Sequence, residues 1–381
     1  MRSSFRRRTT RLSGLIAIGA AAGLLLSACG GETGETTKTD TPAAEDTGAA
    51  AATEDTGTDA GTEGTDTGAT QLYVYGVFAT PLEEPWDGAI HTALEAVAAE
   101  GLIKYEYVDS IDTPDSMENT LRDIAENQKP DLIIGDAFSA EAAVRTVAAE
   151  FPDIAFAFGS GEAEVAPNLS VFDNWIQDPA YLAGMLAGGL TQSNVVGVVA
   201  AMPIPEVNRI VNGFIEGVAA TNPAATVKVS FINSFFDPAT AKTAAEAQIA
   251  AGADVLFAER DGVIAAAQEA GLPAVGMMVD QKDQAPQNVV TSLLWDVKPT
   301  VMALVEQLNA GTYTASNLGQ YSFMKNGGSS IAPINTDLVV DVPADLVAQV
   351  EAKQAEIEAG TFAVEINEEA PAGSTEVSAA E

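Results

Sequence analysis

The sequence is poor in cysteine, histidine and basic residues. One Cys and one His occur in 381 residues, so we expect neither a disulfide framework nor a metal site built on Cys and His clusters. Asp and Glu number 54 against 18 Lys and Arg, which leaves a net charge of -36. Because proteins that bind nucleic acid polymers need basic surface to neutralise phosphates, this acidic chain is excluded from that class. We expect no metal and no cofactor.

The first 28 residues have the features of a secretory signal. Five Arg residues precede an apolar stretch from Leu12 to Ala28, and residues 1–28 contain no acidic residue. This stretch is shorter than the ~20 residues that a membrane-spanning helix needs. It ends in Leu26-Ser27-Ala28 before Cys29, which resembles the lipobox of bacterial lipoproteins. We therefore expect residues 1–28 to be removed and Cys29 to carry palmitate or a similar acyl chain, anchoring the protein on the extracytoplasmic face of the cell membrane.

Two acidic segments flank a central domain. Residues 29–71 begin with Cys29 and are otherwise almost entirely Gly, Thr, Ala, Asp and Glu. A segment of this composition can bury too little apolar surface to fold. Residues 365–381 carry five acids and no base. The sequence thus predicts a disordered tether over 29–71, a folded domain over 72–364 and a disordered tail over 365–381.

The central domain alternates apolar runs with Ala-rich helical stretches. The runs include Ile103 to Val108, Val195 to Ala200 and Val255 to Ala258. The runs lack clean alternation, as is typical of strands that are buried on both faces of a parallel sheet. Helix start signals lie between them, at Asp115, at Ser139 and at Asp178-Pro179. About 290 residues is too many for one ordinary sheet, so the pattern predicts an α/β protein with two domains and a break near Asp173 to Asp178.

Polar and aromatic residues follow the predicted strands. Ligands bind beyond the carboxyl ends of strands in open parallel sheets, so two facing sheets would define a cleft lined by these residues. All three tryptophans fall at such positions, and flat aromatic walls with carboxylate and amide acceptors suit a planar ligand that donates hydrogen bonds, such as a purine. The candidate ligand-binding residues are Trp86, Asp87, Asp136, Phe138, Asn174, Trp175, Asn208, Phe236, Asp280 and Trp295.

Two of these candidates have open alternatives. Trp86 could instead pack its helix onto the sheet, and Phe138 could pack beneath the helix that follows it. If Trp86 stacks on the ligand, replacing it with Ala is expected to abolish binding without unfolding the domain. Gly135, just before Asp136, would let backbone approach a ligand closely.

Several segments resemble the basic membrane protein family, the purine-nucleoside receptors of ABC importers, over residues 72–340. The segments that carry the resemblance are Phe151 to Phe156, Tyr181 to Gly188, Asn208 to Gly217, Ala250 to Val255 and Val279 to Gln281. The resemblance implies a type I periplasmic-binding-protein fold, with two doubly wound parallel-sheet lobes joined by hinge strands. It also implies a lobe 1 of about 72–175 plus 296–325, a lobe 2 of about 180–294 plus the C-terminal part, and ABC permease subunits as partners.

The chain departs from this family at two places. The family's Asp-Asp-x-Ser-Phe-Asn loop corresponds to Glu83 to Asp87, so Trp86 would replace the stacking Phe and Asp87 the hydrogen-bonding Asn. The family's Lys that grips ribose together with an acid such as Asp280 corresponds to Trp295. The resemblance therefore implies a purine ligand with a weakened ribose contact, and we expect a preference for a free base over a nucleoside.

Other classes fit the sequence less well. An enzyme would need a catalytic constellation, yet His91 is the only His and no Gly-x-Ser-x-Gly, Walker or Gly-x-Gly-x-x-Gly motif follows a strand. A ligand-sensing lipoprotein or adhesin with the same fold remains the alternative to an importer component. An ABC ATPase and permeases encoded nearby would favour uptake.

Overall fold

The computed structural model describes residues 71–138 and 140–377. The predictions for the signal, Cys29 and most of the tether therefore lie outside the described residues, as does the helix start signal at Ser139. Twelve strands are present in the described part: β1 (Leu72–Val77), β2 (Ile103–Val108), β3 (Leu132–Asp136), β4 (Ala155–Gly159), β5 (Leu169–Phe172), β6 (Val195–Ala200), β7 (Thr226–Phe231), β8 (Val255–Ala258), β9 (Ala274–Gly276), β10 (Val289–Trp295), β11 (Ser329–Ile331) and β12 (Thr375–Glu376).

Nine α-helices connect or flank these strands in the same part of the chain. They are α1 (Pro85–Ala99), α2 (Pro114–Asp123), α3 (Glu141–Glu150), α4 (Gln177–Leu190), α5 (Pro205–Thr221), α6 (Pro238–Ala250), α7 (Val263–Ala270), α8 (Lys298–Asn309) and α9 (Ala344–Glu358). Helix α2 continues into a π-helical turn over Ile124–Gln128.

The strands form two sheets, one in each of two lobes. The sheet of lobe 1 has the order β2-β1-β3-β4-β5 and is parallel throughout. The sheet of lobe 2 has the order β11-β10-β9-β8-β6-β7-β12, in which only the β10–β11 pair is antiparallel. This arrangement confirms the predicted α/β class with two doubly wound parallel sheets.

Apolar side chains on both faces of each sheet explain the continuous runs in the sequence. In β3, Ile134 packs with α1 in a core that extends across both lobes, while the adjacent Ile133 packs with α2 and α3 on the opposite face. Such strands are buried between two helix layers and show no polar alternation. Gly135 allows close strand packing, because a Cβ there would lie 1.7 Å from the carbonyl oxygen of Val77. The close approach is therefore to a neighbouring strand and not to a ligand.

The chain crosses between the lobes three times. The first crossing segment is 173–176, between β5 and α4, and the second is 296–297, between β10 and α8. Helix α8 packs against α1 in lobe 1, and the third crossing segment, 319–328, returns the chain to β11 in lobe 2. Helix α4 begins at Gln177 with no side-chain cap, so Asp178 lies inside its first turn and does not cap it.

The structure corrects the expectation of a disordered C-terminal tail for residues 365–377. Strand β12 pairs in parallel with the β7 edge of the lobe 2 sheet, and the amide of Val377 donates to the carbonyl of Phe231 at 2.7 Å. Asn212 donates to the backbone carbonyls of Asn367 and Glu369, both at 2.8 Å. The polar backbone of this segment is thus satisfied by a sheet edge and by helix side chains, which its composition alone does not indicate.

Candidate ligand-binding site

A cavity of about 300 Å³ lies between the lobes. Its lining comes from loops at the carboxyl ends of strands in both sheets, where parallel α/β folds bind ligands. Lobe 1 supplies residues at or after the ends of β1, β2, β3 and β4, and lobe 2 supplies residues after β6, β7 and β8. The charged, hydroxyl and aromatic side chains that line it are Thr80, Glu84, Trp86, Asp112, Asp136, Phe138, Ser160, Glu206, Ser234, Phe235, Phe236 and Arg260.

A second, wider groove lies at the opposite end of lobe 1. It measures about 1070 Å³ and is lined by residues such as Asp131, Ile154 and Tyr313, near the amino ends of β3 and β4. Because the amino ends of parallel strands do not carry the ligand site in this type of fold, we assign the site to the cavity between the lobes.

Three phenylalanines stand at the entrance of the cavity. Phe138 of lobe 1 meets Phe235 of lobe 2 edge to face, with ring centroids 4.7 Å apart. Phe138 is 38% exposed and Phe236 is 60% exposed, which is unusual for such large apolar residues. The Phe138–Phe235 contact joins the two lobes, and the exposed ring of Phe236 is free to stack on a flat ligand.

Trp86 forms part of the cavity wall and also belongs to an aromatic cluster. Its ring stacks on Phe172 with centroids 6.2 Å apart and planes 9° apart, and it contacts Trp295 at 5.0 Å. Gly159 leaves room for this ring, since a Cβ there would lie 1.9 Å from Cη2 of Trp86. Trp86 is only 8% exposed. The ring therefore packs its helix onto the sheet and also lines the cavity, and its contact with a ligand stays a prediction.

Lobe 1 places three buried carboxylates around this wall. Glu84 caps α1 by accepting from the amides of Trp86 and Asp87. Asp87 accepts from the amide and the hydroxyl of Thr80 through Oδ2, at 2.9 and 2.7 Å. Asp136 accepts from the amide of Phe138 at 2.8 Å. Burial raises the pKa of Asp87 to about 7 and holds the pKa of Asp136 well above its usual range.

Lobe 2 contributes one cation and a further carboxylate. Arg260 forms two parallel hydrogen bonds to Glu259, at 3.0 and 2.9 Å, and donates to the carbonyl of Phe235 at 2.9 Å. Glu206 accepts from Asn174 at 2.6 Å, and burial together with the charge of Asp173 raises its pKa to about 8. Because the guanidinium is already paired, the lining presents mainly acceptor groups to a ligand.

The sequence profile of the Bmp family, described as ABC transporter substrate-binding protein PnrA-like, matches residues 77–328. The chain belongs to the Bmp family. This finding confirms the resemblance to the basic membrane proteins, and the Bmp family is one of substrate-binding proteins rather than of enzymes.

Relatives of this Bmp chain are named for different ligands. A putative ABC transporter glucose-binding protein of Haloferax volcanii is 33% identical over 60% of the chain and 59% of that protein. A purine-binding protein of Brucella abortus is 29% identical over 56% of the chain and 59% of that protein. A nucleoside-binding protein of Lactococcus lactis is 24% identical over 58% of the chain and 71% of that protein. The chain thus spans about six tenths of the first two relatives.

Solved structures share the fold of this Bmp chain. An ABC transporter solute-binding protein from Conexibacter woesei superposes with a TM-score of 0.64 at 25% identity, covering 77% of the chain and 98% of that structure. A solute-binding protein from Aeropyrum pernix superposes with a TM-score of 0.63 at 20% identity, covering 78% and 94%. These similarities agree with the expected periplasmic-binding-protein fold.

The Bmp cavity brings together four of the ten predicted ligand-binding residues. Trp86, Asp136, Phe138 and Phe236 line it, and Asp87 lies directly behind the wall. Asp280 is exposed and accepts from the amide of Lys282 at 3.0 Å, and Trp295 donates to Ser322 at 3.0 Å behind Trp86. Both lie outside the lining, and their role in ligand binding stays a prediction.

The other three predicted residues surround Arg209 near the first crossing segment. Asn174 accepts from Arg209 at 3.3 Å, and Trp175 packs its ring 4.1 Å from the guanidinium. Asn208 donates to the carbonyl of Glu368 at 3.0 Å. The sequence placed these residues in the cleft because they lie near strand ends, but all three belong to a hydrogen-bonded network beside the hinge.

Glu84, Glu206, Phe235 and Arg260 line the cavity but were not among the ten predicted residues. Glu84, Phe235 and Arg260 occur in loops that follow strands, and Glu206 lies in the first turn of α5 just after such a loop, so the signal was the strand end itself. Which residue of such a loop points inward depends on where the next helix begins, for example at Pro85 after Glu84.

Within the described residues, no group of acidic residues, His or Cys is arranged to hold a metal ion. His91 lies on α1, where it contacts the Tyr105 hydroxyl at 2.9 Å, remote from the cavity lining. None of the described helices combines the length and apolar character that a membrane span requires.

Proposed function

We propose that the protein is an extracytoplasmic solute-binding lipoprotein that captures a purine base or nucleoside between its lobes and delivers it to an ABC permease. The observation that carries this proposal is the combination of aromatic faces and carboxylates in one cavity shared by both lobes. Phe138, Phe236 and Trp86 offer faces for a flat ring, while Asp136, Glu84 and Glu206 offer acceptors for its N–H groups.

We infer that the protein prefers a free base over a nucleoside. By the resemblance to the family, Trp295 corresponds to the cation that grips a ribose, and this ring lies outside the lining, buried against Trp86 and hydrogen-bonded to Ser322. Arg260 is the cation that lines the cavity among the described residues, and it is held by Glu259. Among the described residues that line the cavity, a ribose diol would therefore meet carboxylates but no cation that is free to bind it.

Calorimetry with adenine, hypoxanthine, adenosine, inosine and glucose tests this proposal. We expect adenine to bind at micromolar or lower Kd, about -8 kcal/mol or better, because its amino group donates to the acceptor-rich lining. The nucleosides should bind more weakly than their bases. Nucleosides that bind much tighter than the bases would remove the preference for a base, and glucose as the only binder would overturn the purine assignment.

A pair of aromatic variants provides the control for this titration. Phe236→Ala removes an exposed ring at the cavity, and Tyr107→Ala removes a ring of similar exposure, 46%, on the β2 edge. Since base stacking on an aromatic side chain is worth about 1–3 kcal/mol, Phe236→Ala should lower adenine affinity between about 5-fold and 150-fold. Tyr107→Ala should leave it unchanged.

The proposed lipid anchor at Cys29 is tested separately. We expect metabolic labelling with a palmitate analogue to mark the wild-type protein and Cys29→Ser to lose the label. A wild-type protein that takes up no label would contradict the anchor without affecting the binding proposal.

A further inference from the structure

Side-chain hydrogen bonds join the end of β10 to the third crossing segment and the third to the first. Trp295, the last residue of β10 before the second crossing segment, donates through Nε1 to Oγ of Ser322 at 3.0 Å. Ser322, in the third crossing segment, donates to the backbone carbonyl of Asp173 in the first at 2.5 Å. Lobe closure in two-lobed binding proteins uses small backbone rotations in such segments, and these contacts link the segments to one another.

Arg209 of α5 attaches this hinge to lobe 2. Its side chain is 2% exposed, and Nη2 donates to Oδ2 of Asp173 at 2.5 Å and to Oδ1 of Asn174 at 3.3 Å. The guanidinium also lies 4.1 Å from the ring centroid of Trp175. A buried guanidinium requires carboxylate partners, and its planar fork suits two of them at once.

The second carboxylate comes from the C-terminal segment, residues 365–377. Oε1 of Glu368 accepts from Nη1 of Arg209 at 3.2 Å, and the Glu368 carbonyl accepts from Asn208 at 3.0 Å. Further along, β12 extends the lobe 2 sheet beside β7. The segment therefore runs from the sheet edge to the hinge and places the Glu368 carboxylate against the Arg209 guanidinium.

The same network reaches the ligand cavity. Asn174 holds Oε1 of Glu206 at 2.6 Å through its Nδ2, and Glu206 lines the cavity. Glu206 and Asp173 both face Arg209, and the three charges are close enough to influence one another. The position of Arg209 thus affects one of the acceptors that the lining offers.

We propose that Arg209 is a positioning residue for ligand capture and that Glu368 holds it in place. Arg209 aligns the first crossing segment and, through Asn174, orients Glu206 in the cavity. The C-terminal segment is then a strap whose contact at Glu368 keeps the hinge in the arrangement that binds ligand. The effect on ligand rests on the proposed binding function, whereas the effect on the hinge does not.

Hydrogen exchange of the ligand-free protein tests the hinge effect. Glu368→Gln removes the charge from a partly exposed side chain, so the variant should fold. We expect exchange in residues 173–176 to rise about tenfold, equivalent to ~1.4 kcal/mol, while exchange in the core strands stays unchanged. Arg209→Lys, which keeps the charge but loses the fork, should show the same loosening.

Two matched variants separate this effect from simple loss of the tail. Glu369→Gln changes the neighbouring acid, which contacts α5 only through its backbone. Thr375→Pro disrupts β12 without touching Glu368. Glu369→Gln should match the wild type, and Thr375→Pro should raise exchange at the β7 edge but not in residues 173–176.

Adenine titration provides the second measurement. Glu368→Gln should bind adenine about tenfold more weakly than the wild type and Glu369→Gln, at equal unfolding midpoints. Unchanged exchange in residues 173–176 would overturn the proposal, and so would raised exchange with unchanged adenine affinity. If the wild type binds no adenine, the purine assignment fails, and exchange alone then decides the hinge role of Glu368.

Discussion

Trp86→Ala is expected to lose both ligand binding and much of the stability of the domain. The ring is 8% exposed, stacks on Phe172, contacts Trp295 at a tilted angle, and fills the space that Gly159 leaves open. Truncating a buried Trp to Ala typically costs about 3–5 kcal/mol, because a cavity remains in the core. Chemical denaturation should show this loss in the ligand-free protein. From the sequence we expected Trp86→Ala to abolish binding without unfolding the domain. From the structure we expect a large loss of stability as well.

Phe138→Ala supplies the contrast for this result. Phe138 also lines the cavity, but it is 38% exposed and makes its aromatic contact only across the cleft, with Phe235. Its removal should weaken purine binding while the free energy of unfolding falls by less than about 1 kcal/mol. If Trp86→Ala is as stable as Phe138→Ala, the aromatic cluster does not support the core as inferred.

Asp87→Asn is expected to stabilise the protein at pH 8 and to reduce the dependence of stability on pH. Burial raises the pKa of Asp87 to about 7 from an unfolded value of about 4. A carboxyl group with a raised folded pKa binds more protons in the folded state, so stability is greatest below the unfolded pKa. It then falls as the pH rises towards 7, where the buried group ionises.

The amide keeps the hydrogen bonds while removing the charge. Its oxygen can accept from the amide and hydroxyl of Thr80, as Oδ2 of Asp87 does. Between pH 5 and pH 8, the wild type should lose roughly 2–3 kcal/mol of unfolding free energy through Asp87 alone. Glu206, whose pKa is raised to about 8, adds a change of the same sign in both proteins.

Denaturant unfolding at pH 5, 6, 7 and 8 measures this difference. The two proteins should be similar at pH 5 and diverge as the pH rises, with the variant more stable. Asp131→Asn is a suitable control, since Asp131 is exposed and accepts from the amide of Tyr73 at 2.8 Å, far from the cavity. Parallel curves for wild type and Asp87→Asn would show that Asp87 is not the group that titrates.

The strands were the most predictable part of the fold. The runs Ile103–Val108, Val195–Ala200 and Val255–Ala258 coincide with β2, β6 and β8. Strands that are buried on both faces appear in the sequence as short continuous apolar runs, so their positions can be predicted from local composition. The short strands β5, β11 and β12 were missed, because they have only four, three and two residues, too few to carry such a signal.

The site was only partly predictable, for a reason of geometry. Strand ends located the cleft, since the carboxyl ends of parallel strands face it, and Trp86, Asp136, Phe138 and Phe236 line the cavity there, while their contact with a ligand stays a prediction. Local sequence does not state how far a loop runs before its helix begins. Asn174 and Trp175 therefore had the right composition for a ligand contact but lie beside the hinge.

The sequence by itself determined the α/β class, the two parallel sheets and the membership of the Bmp family, because these follow from local apolar runs and short motifs. Only the tertiary structure decided that Trp86 belongs to the core as well as to the cavity and that residues 365–377 are ordered. It also showed that Glu368 meets Arg209, 159 positions away along the chain. Contacts between distant segments depend on how packed elements meet, and no local pattern encodes that.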